Sequence, residues 1–316
     1  MASDSRNDVN AAEFDELRPL LFSIAYRMLS SVADAEDVVQ DAFLRYQRAR
    51  SDGTKIASIK AYLSAVVTRL AIDQLRSARR RRETYSGQWL PEPILTDDEG
   101  PARVVERADS LSMAFLLVLE RLSPVERAVF LLHDVFAFDY DEIAKIVERS
   151  PANCRQLSSR ARRHVEEEKP RFEPSSKARD ELATHFFAAA TRGDMDGLVS
   201  MLASDVVVYG DGGGKAPQWS RPIVGRERVA RLFVGMSGQM ARADISLELR
   251  QFNGQPGALT RDRDGRVASV FVLEIEGGEI RAVRSIINPD KLRHLGLVAD
   301  AWQLAHEAAQ NRAREE

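Results

Sequence analysis

Three groups of side chains in this chain have the types and spacing to do chemistry with macromolecules rather than with a small substrate. Asp34, Glu36, Asp37, Gln40, Asp41 and Arg45 fall opposite an apolar stripe of Ala35, Val38, Val39, Ala42, Phe43 and Tyr46. An acidic helix face that also carries a glutamine suits docking to a basic protein surface. One helix's length further on, Arg76 and Arg79 to Arg82 place five arginines within residues 76–82. Arg69, Asp73, Gln74 and Arg76 share an exposed face leading into that run, with Arg79 and Arg80 continuing it. Tyr62 adds a ring for stacking on an unpaired base, so the group suits single-stranded DNA. The third group is Asn153, Arg155, Gln156, Ser159, Arg160 and Arg163, opposite the small and apolar stripe Cys154, Leu157, Ala161 and Val165. Arg bridges guanine edges and Asn or Gln bridges adenine, so this face suits a DNA major groove.

Helical periodicity supplies the elements that must hold these groups. Phe14, Leu17, Leu20, Leu21, Ile24, Ala25 and Met28 predict a helix from Phe14 to Leu29, with Pro19 near enough to its start to be tolerated. A second helix is expected from Asp34, as N-cap, to about Arg48. A third covers Ile59 to Arg82 with Ile59, Tyr62, Leu63, Val66, Leu70, Ile72 and Leu75 inward. Short loops between three helices make an antiparallel bundle. Ser123-Pro124-Val125-Glu126 reads as a capping box opening a helix through His133, and Asp139-Tyr140-Asp141-Glu142 opens another through about Val147. After the turn Glu148-Arg149-Ser150, a helix capped by Ser150 reaches about Val165. The pair is a helix-turn-helix.

Between these groups, residues 84–107 read as a linker punctuated by Gly87, Pro91, Pro93, Gly100 and Pro101. Trp89-Leu90-Pro91-Glu92-Pro93 is the exception: an indole left in solvent forfeits about 2–3 kcal/mol of burial, so this segment docks on a surface. A second linker surrounds Pro174-Ser175-Ser176. Beyond it, helices over 178–202, a strand at Val206–Tyr209, a helix from Arg226 to about Met236 and alternating strands from Ile245 onward predict an α+β domain with antiparallel strands.

Composition sets the limits. The 316 residues, 44% of them hydrophobic, suffice for two or three separate cores, and a net charge of −3 hides the two basic clusters. A single cysteine, Cys154, excludes an intrachain disulfide, and the five histidines lack metal-ligand spacing. No cofactor or metal is expected. With neither a signal-peptide pattern nor an apolar run of membrane-spanning length, a cytoplasmic location without membrane contact is expected. Asp211-Gly212-Gly213-Gly214-Lys215 lacks the longer glycine-rich span and the hydroxyl residue of a phosphate loop, since Ala216 follows the lysine. It reads instead as a contact loop. His185, Asp194, Asp196, Asp205 and Tyr209 could line a cavity, but acids before a strand are more often caps, so no catalysis is expected.

Taken together, these motifs resemble the extracytoplasmic-function (ECF) sigma factors of bacterial RNA polymerase. Residues 13–83 resemble sigma region 2, Asp34 to Phe43 being similar to its polymerase-docking helix and Ala71-Ile72-Asp73-Gln74-Leu75-Arg76 to its −10 recognition helix. Residues 108–168 resemble region 4, with Ser123-Pro124-Val125-Glu126-Arg127, Tyr140-Asp141-Glu142-Ile143-Ala144 and Arg160-Ala161-Arg162 typical of it. Tyr62 stands where most relatives have Trp, and Leu157 where most have Arg. The remainder is similar to the subgroup with a fused, cone-shaped SnoaL-like domain, expected over 178–295 with a C-terminal helix or tail at 296–316. Trp89–Pro93, Asp211–Lys215 and Asn288-Pro289-Asp290-Lys291-Leu292 resemble that subgroup's hallmarks.

The resemblance implies a multidomain protein, two all-α sigma domains followed by an α+β cone, with core polymerase and promoter DNA as partners. The −35 duplex would meet Asn153, Arg155, Gln156, Ser159, Arg160 and Arg163, and the melted −10 strand would meet Tyr62, Arg69, Asp73, Gln74, Arg76, Arg79 and Arg80. The cone is expected to act as an interdomain regulator through its three hallmark motifs, with a small ligand of unknown identity left open. Two other readings stand beside it. One is a DNA-binding regulator with a ligand-sensing C-terminal domain; the other is a SnoaL-like enzyme fused to a DNA-binding module.

Overall fold

The computed structural model describes residues 2–83, 85–97, 111–168 and 176–315, and the side chains of these apart from 2–12, 78–83 and 315. The chain divides into two compact units. One joins Met1–Glu83 with Phe115–Lys169, and the other joins Thr84–Ala114 with Pro170–Glu316.

The first unit is helical. Helices α1 (Ala2–Leu29), α2 (Val32–Ser51) and α3 (Ile59–Glu83) pack on one another around Leu21, Ile24, Met28, Val38, Val39, Tyr46, Leu63 and Val67. Helix α1 begins earlier than its periodicity indicates, so Pro19 lies well inside it rather than near its start. Asp34 is not the cap of α2. Ser31 is extended, and its hydroxyl accepts from the Asp34 amide at 3.2 Å, which moves Asp34 into the first turn, where a carboxylate complements the helix dipole. On α3 the buried stripe is Leu63, Ser64, Val67, Thr68, Ala71, Ile72 and Leu75, whereas Val66 and Leu70 are half-buried. Two neighbouring stripes fit the 3.6 period here, and packing selects the one with small side chains.

Helix α4 (Met113–Leu119) leads to α5 (Pro124–Phe130), whose capping box is formed by Ser123 and Glu126. The expected continuation to His133 exists, but as a π turn over Leu131–Val135. Helices α6 (Tyr140–Val147) and α7 (Pro151–Glu168) form the helix-turn-helix, with Glu148 in the left-handed region (φ 55°) at the turn. Cys154, Leu157, Ser158, Ala161 and Val165 are the buried side of α7.

The second unit is a curved sheet backed by helices α8 (Ser176–Arg192), α9 (Met195–Met201) and α10 (Arg226–Arg242). Its strands are β1 (Leu202–Asp211), β2 (Ile223–Val224), β3 (Ser246–Phe252), β4 (Gln255–Arg261), β5 (Val267–Glu276) and β6 (Glu279–Ile286). The order is β2-β1-β6-β5-β4-β3. The sheet is mixed rather than wholly antiparallel, because β1 and β6 pair in parallel. The chain leaves β1, crosses through α10, runs a β3–β6 meander and returns beside its start. Phe186 meets Phe187 and Phe233 edge-on, at 5.3 and 5.0 Å between ring centres, in the core between helices and sheet. Helix α11 (Ala301–Glu315) ends the chain. Among the described residues no helix is long and apolar enough to cross a membrane.

Strand β4 escapes the alternation pattern. Pro256 and Gly257 carry little strand propensity, yet a side chain at Gly257 would run into the Phe271 carbonyl on β5.

Candidate functional site

Helix α2 turns Asp37, Gln40, Asp41 and Arg45 outward, four positions along one face over Ala35, Val38, Val39, Ala42 and Tyr46, which are buried. Asp34 and Glu36 are half-buried, and Glu36 pairs with Arg18 of α1. The exposed set is therefore an acidic and amide surface on a fixed helix.

On α3, Asp73 and Arg76 are exposed and paired at 3.1 Å, while Gln74 and Tyr62 are half-buried. The Tyr62 ring lies 6.4 Å from that of Tyr46. The side chains of Arg79 and Arg80 lie outside the described residues. Arg69 is engaged differently from its expected place on a DNA strand. Its Nε donates to the Ile146 carbonyl at 2.9 Å and its Nη2 to the Lys145 carbonyl at 2.7 Å, with Glu148 at 3.6 Å. These carbonyls end α6, where an α-helix leaves acceptors without intrahelical donors and carries partial negative charge.

A second arginine makes the reciprocal contact. Arg127 of α5 donates to the Met28 carbonyl, at the end of α1, at 2.6 Å and to Glu120 at 2.8 Å. It is only 2% exposed, and burial lowers its guanidinium to about 9, which leaves it charged at neutral pH. Each helical half of the first unit thus caps a helix end of the other. Neither role is visible in local sequence, because both partners are main-chain atoms far along the chain.

Helix α7 presents Arg155, Gln156, Ser159, Arg160 and Arg163 to solvent, and Asn153 is half-buried. The Arg155 guanidinium lies 5.4 Å from the Tyr140 ring centre, and Arg160 approaches Glu126 at 3.5 Å. Asp134 of the π turn accepts from Ser158 at 3.2 Å and pairs with Arg162, which fixes the helix against the preceding turn.

In the second unit, the three hallmark motifs meet. Asp211 is fully buried and accepts from the Leu90 amide at 2.8 Å, the Tyr85 hydroxyl at 2.5 Å and the Lys291 ammonium at 2.7 Å. Lys291 also donates to the Leu90 carbonyl and sits over the rings of Trp89 and Tyr85, at 4.4 and 5.2 Å. Asn288 donates to the Tyr85 oxygen at 2.8 Å, and Lys215 pairs with Asp290. Gly213, at φ 60°, lies where any side chain would strike the Asn288 amide. Burial first, then the Asp211 charge, raises the Tyr85 hydroxyl well above its ordinary value, so it stays a donor. Leu90, Pro91, Glu92 and Pro93 are buried.

Residues 85–97 of the stretch expected as a linker are thus part of this unit's fold, and 84 and 98–107 lie outside the described residues. Leu95 bridges Phe252 on β3, Thr96 donates its amide to Gln251 at 2.9 Å, and Asn253 donates to Ile94 at 2.8 Å. Asn253 holds the segment on both sides, its Oδ1 accepting from Ile94 at 3.0 Å and its Nδ2 donating to Leu111 at 3.0 Å. The sequence reading missed Tyr85 and Asn253. Asn253-Gly254 between apolar runs is the signal for a tight hairpin, and both residues have positive φ.

The residues considered for acid–base work do not converge. Asp194 caps α9 through the Gly197 amide at 2.9 Å, Asp205 pairs with Arg281 at 2.9 Å, His185 is exposed, and Tyr209 lies 5.2 Å from the Arg284 guanidinium.

Residues 14–81 match the family model of sigma-70 region 2, and residues 112–165 match that of sigma-70 region 4. Over 293 residues the chain is 39% identical to the ECF RNA polymerase sigma factor SigJ of Mycobacterium tuberculosis strain H37Rv, covering 90% of this chain and 93% of that protein. It is 31% identical over 290 residues to the probable ECF RNA polymerase sigma factor SigI of M. tuberculosis strain CDC 1551, covering 91% and 96%. The crystal structure of M. tuberculosis SigJ superposes with a TM-score of 0.70 at 37% identity, covering 90% of this chain and 98% of that one. The chain belongs to the ECF sigma factors, the subunits that direct RNA polymerase to promoters, and the likeness runs through the second unit as well.

Proposed function

We propose that this sigma factor docks on core polymerase through Asp34, Glu36, Asp37, Gln40, Asp41 and Arg45, and reads −35 duplex through the exposed face of α7. The observation that carries the reading is that Asp37, Gln40, Asp41 and Arg45 stand exposed on one face of a helix whose other face is buried. Tyr62, Asp73, Gln74, Arg76, Arg79 and Arg80 would hold the melted −10 strand, and Arg69 would join them once released from the end of α6. Weak contacts to two DNA elements become useful when one body tethers them. We assign residues 13–83 to core docking and the −10 strand, residues 108–168 to the −35 duplex, and the remainder, including the clamp around Asp211, to modulation in cis. The site of action is the cytoplasm.

We infer that the second unit modulates without catalysis, since the acids and histidine considered for it serve as caps, ion pairs or surface groups. The test is promoter-dependent transcription by core polymerase with the full chain. Replacing Asp37, Gln40 and Asp41 together with Ala is expected to abolish association with core enzyme and leave the melting temperature unchanged. Unimpaired association would overturn the docking assignment.

A further inference from the structure

The second unit contains a half-open cavity of about 360 Å³ lined by its sheet, α10 and the C-terminal helix. That volume lies in the range of small-molecule sites. Ala301, Leu304, Ala305 and Ala308 of α11 face it at helical spacing, and three of the four are alanines, so this wall leaves space where larger side chains would fill it. Met236, Met240, Ile245, Phe271 and Ile287 supply an apolar lining in which the two methionines can adapt to a guest.

The lining contains no titratable side chain. Its hydroxyls and the Gln218 amide are largely engaged with each other, and Gln239 is exposed to solvent. Thr260 Oγ1 and Ser269 Oγ share a hydrogen bond at 2.6 Å, and Gln218 Nε2 donates to Ser285 Oγ at 3.2 Å. The exception is Trp219, whose indole N–H is buried and has no hydrogen-bond partner among the described residues. A buried donor of this kind requires an acceptor. A charge seated inside the cavity is disfavoured, because the lining offers no countercharge to replace its water.

We propose that this cavity binds a neutral, mainly apolar small molecule whose carbonyl or ether oxygen accepts from Trp219, on the scale of about two or three fused rings. The proposal deepens the reading of the second unit as a modulator without catalysis. Its test involves no transcription, so either can fail while the other stands.

The full chain is titrated with Prodan, a neutral dye of two fused rings bearing a ketone, and the bound dye is then challenged with fluorenone, fluorene and a fluorenone carboxylate. Saturable dye binding is expected, displaced best by fluorenone, less well by fluorene and least by the carboxylate. Ala268→Phe, which fills the cavity, is expected to weaken dye binding tenfold or more. Trp219→Phe keeps an aromatic ring, removes the donor, and should weaken fluorenone several-fold at an unchanged melting temperature. Should Ala268→Phe fail to fold, Trp219→Phe and the competitor series decide. Absence of saturable binding, equal displacement by the carboxylate, unaltered binding by folded Ala268→Phe, or unaltered fluorenone affinity in Trp219→Phe would each overturn the proposal.

Discussion

Charge is deployed in opposite ways on the exposed helix faces of the first unit and in the Asp211 clamp of the second. In the helical unit, Asp37, Asp41, Arg155, Arg160 and Arg163 stand in water on rigid helices, whereas in the cone Lys291 and Asp211 form an ion pair 7% and 0% exposed. Exposed charges contribute little to stability and remain available to partners. Buried charges are costly to desolvate, and Lys291 is met by the Asp211 carboxylate, the Leu90 carbonyl and the rings of Trp89 and Tyr85. The difference teaches where to look for each kind of effect: substitutions on the exposed helix faces should be read out in binding, and those in the clamp in stability.

The largest expected effect tests the buried half of that contrast. Asp211→Ala removes the carboxylate partner of Lys291 and three accepted hydrogen bonds, and is expected to cost about 3–5 kcal/mol in urea unfolding. A loss below about 1 kcal/mol would mean that substitutions in the clamp are not read out in stability. The exposed half is tested by Arg155→Ala and Arg160→Ala, each expected to weaken −35 duplex binding by the holoenzyme by about 1–3 kcal/mol. Both should keep stability within about 0.5 kcal/mol of the parent protein. A stability loss comparable to that of Asp211→Ala would erase the distinction.

The smallest effect is pH-dependent. Tyr85→Phe deletes the hydroxyl that donates to Asp211 and accepts from Asn288, a loss of about 1 kcal/mol. Because the folded protein raises this hydroxyl above its ordinary 10.0, the contribution is fully present below pH 10.0 and is lost as pH rises through the folded value. Unfolding of the parent protein and Tyr85→Phe at a series of pH values should show a constant gap that closes only in strong alkali. A gap that closes near neutrality would contradict the burial of Tyr85.

Much of the helical unit was legible because its signals are local. The stripe of α2, the Ser123–Glu126 capping box and the turn before α7 are each written within a few residues. What was hidden is long-range. Arg69 looks like one more arginine on a basic face until the end of α6 is placed beside it. The parallel pairing of β1 with β6 spans most of the cone, and β4 conceals itself behind Pro256 and Gly257. The three hallmark motifs could be singled out from sequence, but their convergence on one aspartate depends on Leu90 and Lys291, 201 residues apart, meeting there together with Tyr85.

Arg69 and Arg127 both grip peptide oxygens, Arg69 beside Glu148 and Arg127 together with the Glu120 carboxylate. Every amino acid carries that oxygen, so substitutions at positions 28, 145 or 146 leave the acceptor chemically intact. Mutational vulnerability at the helix ends is therefore one-sided: the recipient residues are free to drift in composition, and the constraint falls on the two guanidinium donors and on Glu120.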